Sequence, residues 1–101
     1  MLKSGQAFLQ QRFRKDPDFV YRRIAQECLV VPIRHQVGDL NYIYVLNPVA
    51  DRIWELLDGQ NTVQEIRDRL LAEFKATAQE VEQDLREFLE QLVEIGGIKE
   101  A

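Results

Sequence analysis

The pattern of apolar positions divides the chain in two, with strand-like runs between Phe19 and Leu46 and helical spacing from Pro48 to Ile95. Phe19–Ile24 and Cys28–Ile33 are short runs rich in β-formers, and Ala25–Glu27 between them is a connection of hairpin length. Pro32 removes a ladder donor, which marks an edge position, a bulge or a strand end. Arg34–Leu40, with Gly38 and Asp39, reads as the next turn, and Asn41–Leu46 as a third strand. Alternation sends Tyr42, Tyr44 and Leu46 to one face and Ile43 and Val45 to the other. Both faces are apolar, so the pattern predicts cover on each side.

The helical half is punctuated by caps. Asn47 is placed to cap a helix with its side-chain oxygen, and Pro48 at the first helical position gives up an N–H that has no partner there. Val49, Ile53, Trp54 and Leu57 share a face, and Gly59 in the left-handed conformation ends this helix near Asp58. Thr62 and Glu65 form a capping box, so a second helix starts a few residues later with Val63, Ile66, Leu70 and Phe74 as its buried stripe. Lys75 and Ala76 make a turn, and a second capping box, Thr77 with Glu80, opens the third and longest helix. Its apolar face runs through Val81, Leu85, Phe88, Leu92 and Ile95, widened by Leu89 and Val93, and Gly96 and Gly97 stop it. Three strands followed by three helices, without an internal repeat, make a small α+β domain.

Residues 1–18 carry less pattern. Phe8, Leu9 and Phe13 sit among Gln, Arg and Lys at loose helical spacing after Ser4, and Asp16–Asp18 is a turn signal around Pro17. The stretch is either a frayed or partly helical tail, or a short amphipathic helix docking on a partner or a second copy. The folded domain is then 19–101.

Composition narrows the class. At 101 residues, 46% hydrophobic and 30% charged, the chain is one globular domain, and no apolar run approaches the roughly 18 residues of a membrane span. The N-terminus lacks the apolar stretch and cleavage site of a secretory signal, so the expected location is cytoplasmic. The single cysteine, Cys28, has no internal disulfide partner and reads as a buried strand position. Residues 1–46 carry seven Lys/Arg against four Asp/Glu, whereas residues 47–101 carry six against thirteen, so the helical half is acidic.

Catalytic chemistry finds no support. The single histidine, His35, has no second histidine, cysteine pair or carboxylate cluster at ligand spacing, so neither a metal nor another cofactor is expected. No glycine-rich phosphate loop appears, because Gly96 and Gly97 stand at a helix end, where the dipole repels anions. No nucleophile–base–orienter set is visible in the order of the residues either, and a non-enzyme is expected. The carboxylates of the third helix read as a solvated face.

Tyr44–Asn47, Ile53–Gly59, Thr62–Ile66, Glu80–Asp84, Phe88, Leu89, Leu92 and Gly96, in this order, resemble the PqqD-like family, and the resemblance spans 19–98. It implies a winged helix-turn-helix-like fold, with a three-stranded antiparallel sheet followed by three helices. It also implies a non-catalytic role: capturing the leader segment of a ribosomally made precursor peptide and presenting it to a modifying enzyme, often a radical S-adenosylmethionine protein, as in pyrroloquinoline quinone biosynthesis. The leader is implied to add as a strand beside the third strand and rest on the third helix. By position that singles out Tyr42, Ile43, Tyr44, Val45 and Leu46 on the strand, and Val81, Asp84, Leu85, Phe88 and Gln91 on the helix. Asp84, Phe88 and Gln91 form one flank of that helix and Glu82, Leu89 and Val93 the other; either flank is open as the groove wall.

An exposed strand edge offers unpaired N–H and C=O groups to any extended peptide. Each such bond contributes only about 0.5–1.5 kcal/mol net, while ordering a disordered leader costs about 2–5 kcal/mol. Apolar anchors at about 1.5–3 kcal/mol per well-buried large side chain must supply the rest. Two alternatives share the fold. A winged-helix nucleic-acid binder needs positive charge on its recognition helix, yet residues 77–95 carry six carboxylates against Arg86 alone. A homodimerisation module would exchange the N-terminal tail or the open strand edge between copies.

Overall fold

The computed structural model describes residues 2–32 and 44–101. Tyr42, Ile43 and His35, and the turn expected at Arg34–Leu40, lie outside the described residues. The elements run α1 (Gly5–Leu9), β1 (Arg12–Lys15), β2 (Phe19–Ile24), β3 (Glu27–Pro32), β4 (Tyr44–Leu46), α2 (Pro48–Leu56), β5 (Asp58–Thr62), α3 (Val63–Glu73), α4 (Ala78–Glu94) and β6 (Ile98–Glu100). The antiparallel sheet β2-β3-β4 followed by α2, α3 and α4 makes the α+β fold expected, consistent with a winged helix-turn-helix-like one. A second antiparallel sheet, β5-β1-β6, enlarges it.

That second sheet corrects the sequence reading at three places. Residues 12–15, expected in a tail or short helix, are the central strand β1, with Phe13 1% exposed; the helical part of the N-terminus is confined to α1. β5 and β6 flank it, the first in a stretch read as a helix stop and the second in residues the sequence pattern assigns to no element. Backbone bonds from Val63 N–H to the Gln11 carbonyl and from Ala101 N–H to the Arg12 carbonyl, both 2.9 Å, close the sheet ends. α2 also ends earlier than expected, with Leu57 as its C-cap. Gly59 does adopt φ +80°, but inside β5 opposite the irregular β1 register, where a Cβ would sit 3.4 Å from that of Arg14.

The caps form as read. The Thr62/Glu65 and Thr77/Glu80 boxes are both closed reciprocally. α4 stops in the Schellman pattern, with Gly97 N–H on the Leu92 carbonyl at 2.8 Å, Gly96 N–H on the Val93 carbonyl at 3.1 Å, and Gly96 at φ +78°. Ile53, Leu57, Ile66, Leu70, Leu85, Leu89 and Leu92 fill the space between the three long helices, and Cys28, Val30 and Leu46 lay the inner face of β2-β3-β4 on them. Arg52 grips Glu73 with two 2.8 Å bonds to tie α2 to α3, and Arg67 meets Glu82 at 2.8 Å to tie α3 to α4.

Candidate functional site

β4 lies at one edge of its sheet, with β3 on one side and no strand on the other among the described residues. Register puts Tyr44 and Leu46 on the inner face with Val30 and Cys28. Val45 stands opposite Leu29 on the outer face. Leu46 is buried and Tyr44 half-buried, but Val45 is 62% exposed, so the expected cover exists on the inner face and not at Val45.

A cavity of about 260 Å³ opens between this edge and α4. Tyr44, Val45 and Leu46 form its strand wall, and Asp84, Glu87, Phe88 and Gln91 its helix wall. Asn47, Val49, Ala50 and Ile53, at the start of α2, complete it. The site has this shape because Asn47 turns the chain within one residue. Its side-chain oxygen accepts the Ala50 N–H at 2.8 Å, so α2 departs directly from the end of β4.

Of the residues singled out by the resemblance, Tyr44, Val45, Leu46, Asp84, Phe88 and Gln91 meet around this one cavity. Val81 and Leu85 stand behind it in the core, 3% and 0% exposed, and do not line it. The flank of α4 that faces the cavity is that of Asp84, Phe88 and Gln91. Glu82 on the opposite flank is bonded to Arg67 instead. The sequence reading missed Asn47, Val49, Ala50, Ile53 and Glu87 as lining residues. Helical spacing puts Val49 and Ile53 on one apolar face without saying what covers it, and Ile53 serves both the core and the cavity.

A second cavity, about 480 Å³, borders β2, at the sheet's other edge, and is lined by Lys15, Tyr21, Arg23, Asp51, Trp54 and Glu55. Lys15 sits 5.6 Å over the Trp54 ring, where burial lowers its pKa against the pull of Asp58 and Glu55. Tyr21 donates to Cys28 Sγ at 2.9 Å, and that bond, followed by the Asp51 carboxylate, pushes its phenol up to about 12. Arg22 and Arg23 on this edge are the charged side chains with which edge strands deter added strands. Of the two edges, β4 is therefore the more receptive.

Residues 27–98 match the protein family described as coenzyme PQQ synthesis protein D (PqqD). The chain belongs to the PqqD family. A solved structure, TbiB1 in complex with the TbiA(beta) leader peptide, is similar to it, with a TM-score of 0.68 and 29% identity over 85% of this chain and 94% of that one. No curated protein matches the chain. The match to PqqD begins at β3 and ends at the first residue of β6, so β4, α2 and α4, which bound the cavity, lie inside it, whereas α1, β1 and β2 precede it. No group of His, Cys, Asp or Glu suited to a metal ion occurs among the described residues, and none of their helices is long and apolar enough to cross a membrane.

Proposed function

We propose that this PqqD-family protein is a non-catalytic accessory protein that captures the leader of a ribosomally made precursor peptide and presents it to a modifying enzyme, a radical S-adenosylmethionine protein. The observation that carries the proposal is the cavity between the open edge of β4 and the Asp84–Phe88–Gln91 flank of α4, in a chain similar to a structure that holds a leader peptide. An extended leader pairs with Tyr44–Leu46 through its backbone and drops apolar side chains toward Val49, Ile53 and Phe88. The leader is ordered by binding and stays free at its other end, which suits delivery to a second protein.

A nucleic-acid role finds less support. Arg86, the single cation of α4 against six carboxylates on residues 77–95, donates to the Lys3 carbonyl at 2.8 Å and lies over the Phe8 ring.

Calorimetric titration with a synthetic leader, taken from a candidate precursor peptide encoded in the same genome, tests the function. Saturable one-to-one binding that loses no more than about tenfold between low and high salt supports capture. No heat with that leader, together with steeply salt-dependent binding of duplex DNA, would reverse the assignment.

A further inference from the structure

We infer that the leader taken by this groove carries a lysine or arginine two residues from its main apolar anchor, with the cation held between Asp84 and Glu87; this rests on the peptide-capture reading above. The floor of the groove is apolar, at Val49, Ile53 and half-buried Phe88, but its α4 rim is acidic. Asp84 is exposed and has no ion pair or hydrogen bond among the described residues, and Glu87 takes only the Gln83 amide at 3.2 Å. The nearby cations among the described residues are engaged elsewhere. Arg86 is held by Lys3 and Phe8, Arg67 by Glu82 and Asp68, and Arg52 by Glu55 and Glu73.

The spacing follows from the two periodicities. Side chains on one face of an added strand repeat every second residue, about 6.8 Å apart. One helical turn advances about 5.4 Å. Asp84 precedes Phe88 by one turn on the same flank, so an anchor seated on Phe88 has its same-face neighbour opposite Asp84, with Glu87 beside it. An acidic residue at that place in the leader meets two uncompensated carboxylates and is rejected, which makes the rim a selectivity device as well as an attraction.

A displayed library of random peptides, about twelve residues long as an extended segment requires, is selected on the wild-type protein and on the Asp84→Asn/Glu87→Gln variant. Neither substitution removes an ion pair within the chain. The wild type is expected to enrich Lys or Arg two residues from a large apolar residue, and the variant to enrich the same anchors without the cation. Peptides selected on the wild type should bind the variant about tenfold more weakly at roughly physiological salt, and the difference should vanish near about 1 M salt. Apolar anchors with no basic preference on the wild type would overturn this inference and leave peptide capture standing. Failure to enrich any peptide, or enriched peptides that bind a Phe88→Glu variant equally well, would overturn both.

Discussion

The side-chain oxygen of Asn47 accepts the backbone N–H of Ala50 at 2.8 Å, so one residue sets the angle between the open strand edge and the helix that floors the groove. Replacing it by alanine leaves a first-turn N–H without its cap. Asn47→Ala is expected to cost about 1 kcal/mol, or about 4–8 °C in Tm for a chain of this size, whereas Asn47→Asp keeps most of it. Thermal denaturation followed by circular dichroism measures both.

Phe13 is central to the second sheet. It is 1% exposed on β1, between β5 and β6, so Phe13→Ala is expected to destabilise by about 3–5 kcal/mol, a large share of the roughly 5–15 kcal/mol that holds a domain folded. Deleting residues 2–16 removes the middle strand and should abolish cooperative urea unfolding. A deletion that left the urea midpoint unchanged would show the stretch to be a dispensable tail.

Phe88 and Leu85 separate groove from core on one helix. Leu85 is fully buried and Phe88 half-buried against the cavity. Leu85→Ala should cost about 2–5 kcal/mol of stability. Phe88→Ala should cost less stability, but weaken a synthetic leader about tenfold to a hundredfold, the equivalent of one apolar anchor contact. Urea midpoints and fluorescence anisotropy on the same two variants distinguish the roles.

The Asp58 carboxylate accepts the N–H groups of Asn61 and Gln60, both at 2.9 Å, and these two bonds hold it below the ordinary carboxylate range. Because the folded pKa is the lower one, this stabilisation is fully present above the unfolded value of about 3.9 and is lost as pH falls through the folded value. Asp58→Asn keeps an oxygen acceptor that does not titrate, so its stability–pH curve should be flatter at the acid end. Urea midpoints measured between neutral pH and about pH 2 give the slopes.

What was legible in the sequence was local. Asn47, Thr62 and Thr77 announce their helices because a cap is decided by a few neighbouring atoms, and the apolar spacing of α4 names its buried face. β1, β5 and β6 were not legible, because Asp58–Thr62 has few β-forming residues and becomes a strand only by pairing with β1, a contact distant in sequence. The period-two pattern of Arg12, Phe13 and Arg14, with one inward aromatic between two arginines, was the available signal. At the site, periodicity could not divide α4's stripe into core and groove. Val81 and Leu85 share a face with Phe88, and the position of β4 and α2 decides which of them a peptide can reach.

The central claim is that the edge of β4 and the Asp84 flank of α4 hold a leader peptide. An amide-resolved NMR titration of the isotope-labelled protein with the synthetic leader tests it most directly. The account predicts saturating shifts confined to Tyr44–Leu46, the first turn of α2 and Asp84–Gln91, with β2 and β1 unmoved. Shifts centred on Tyr21 and Arg23, at the opposite edge of the sheet, would contradict it.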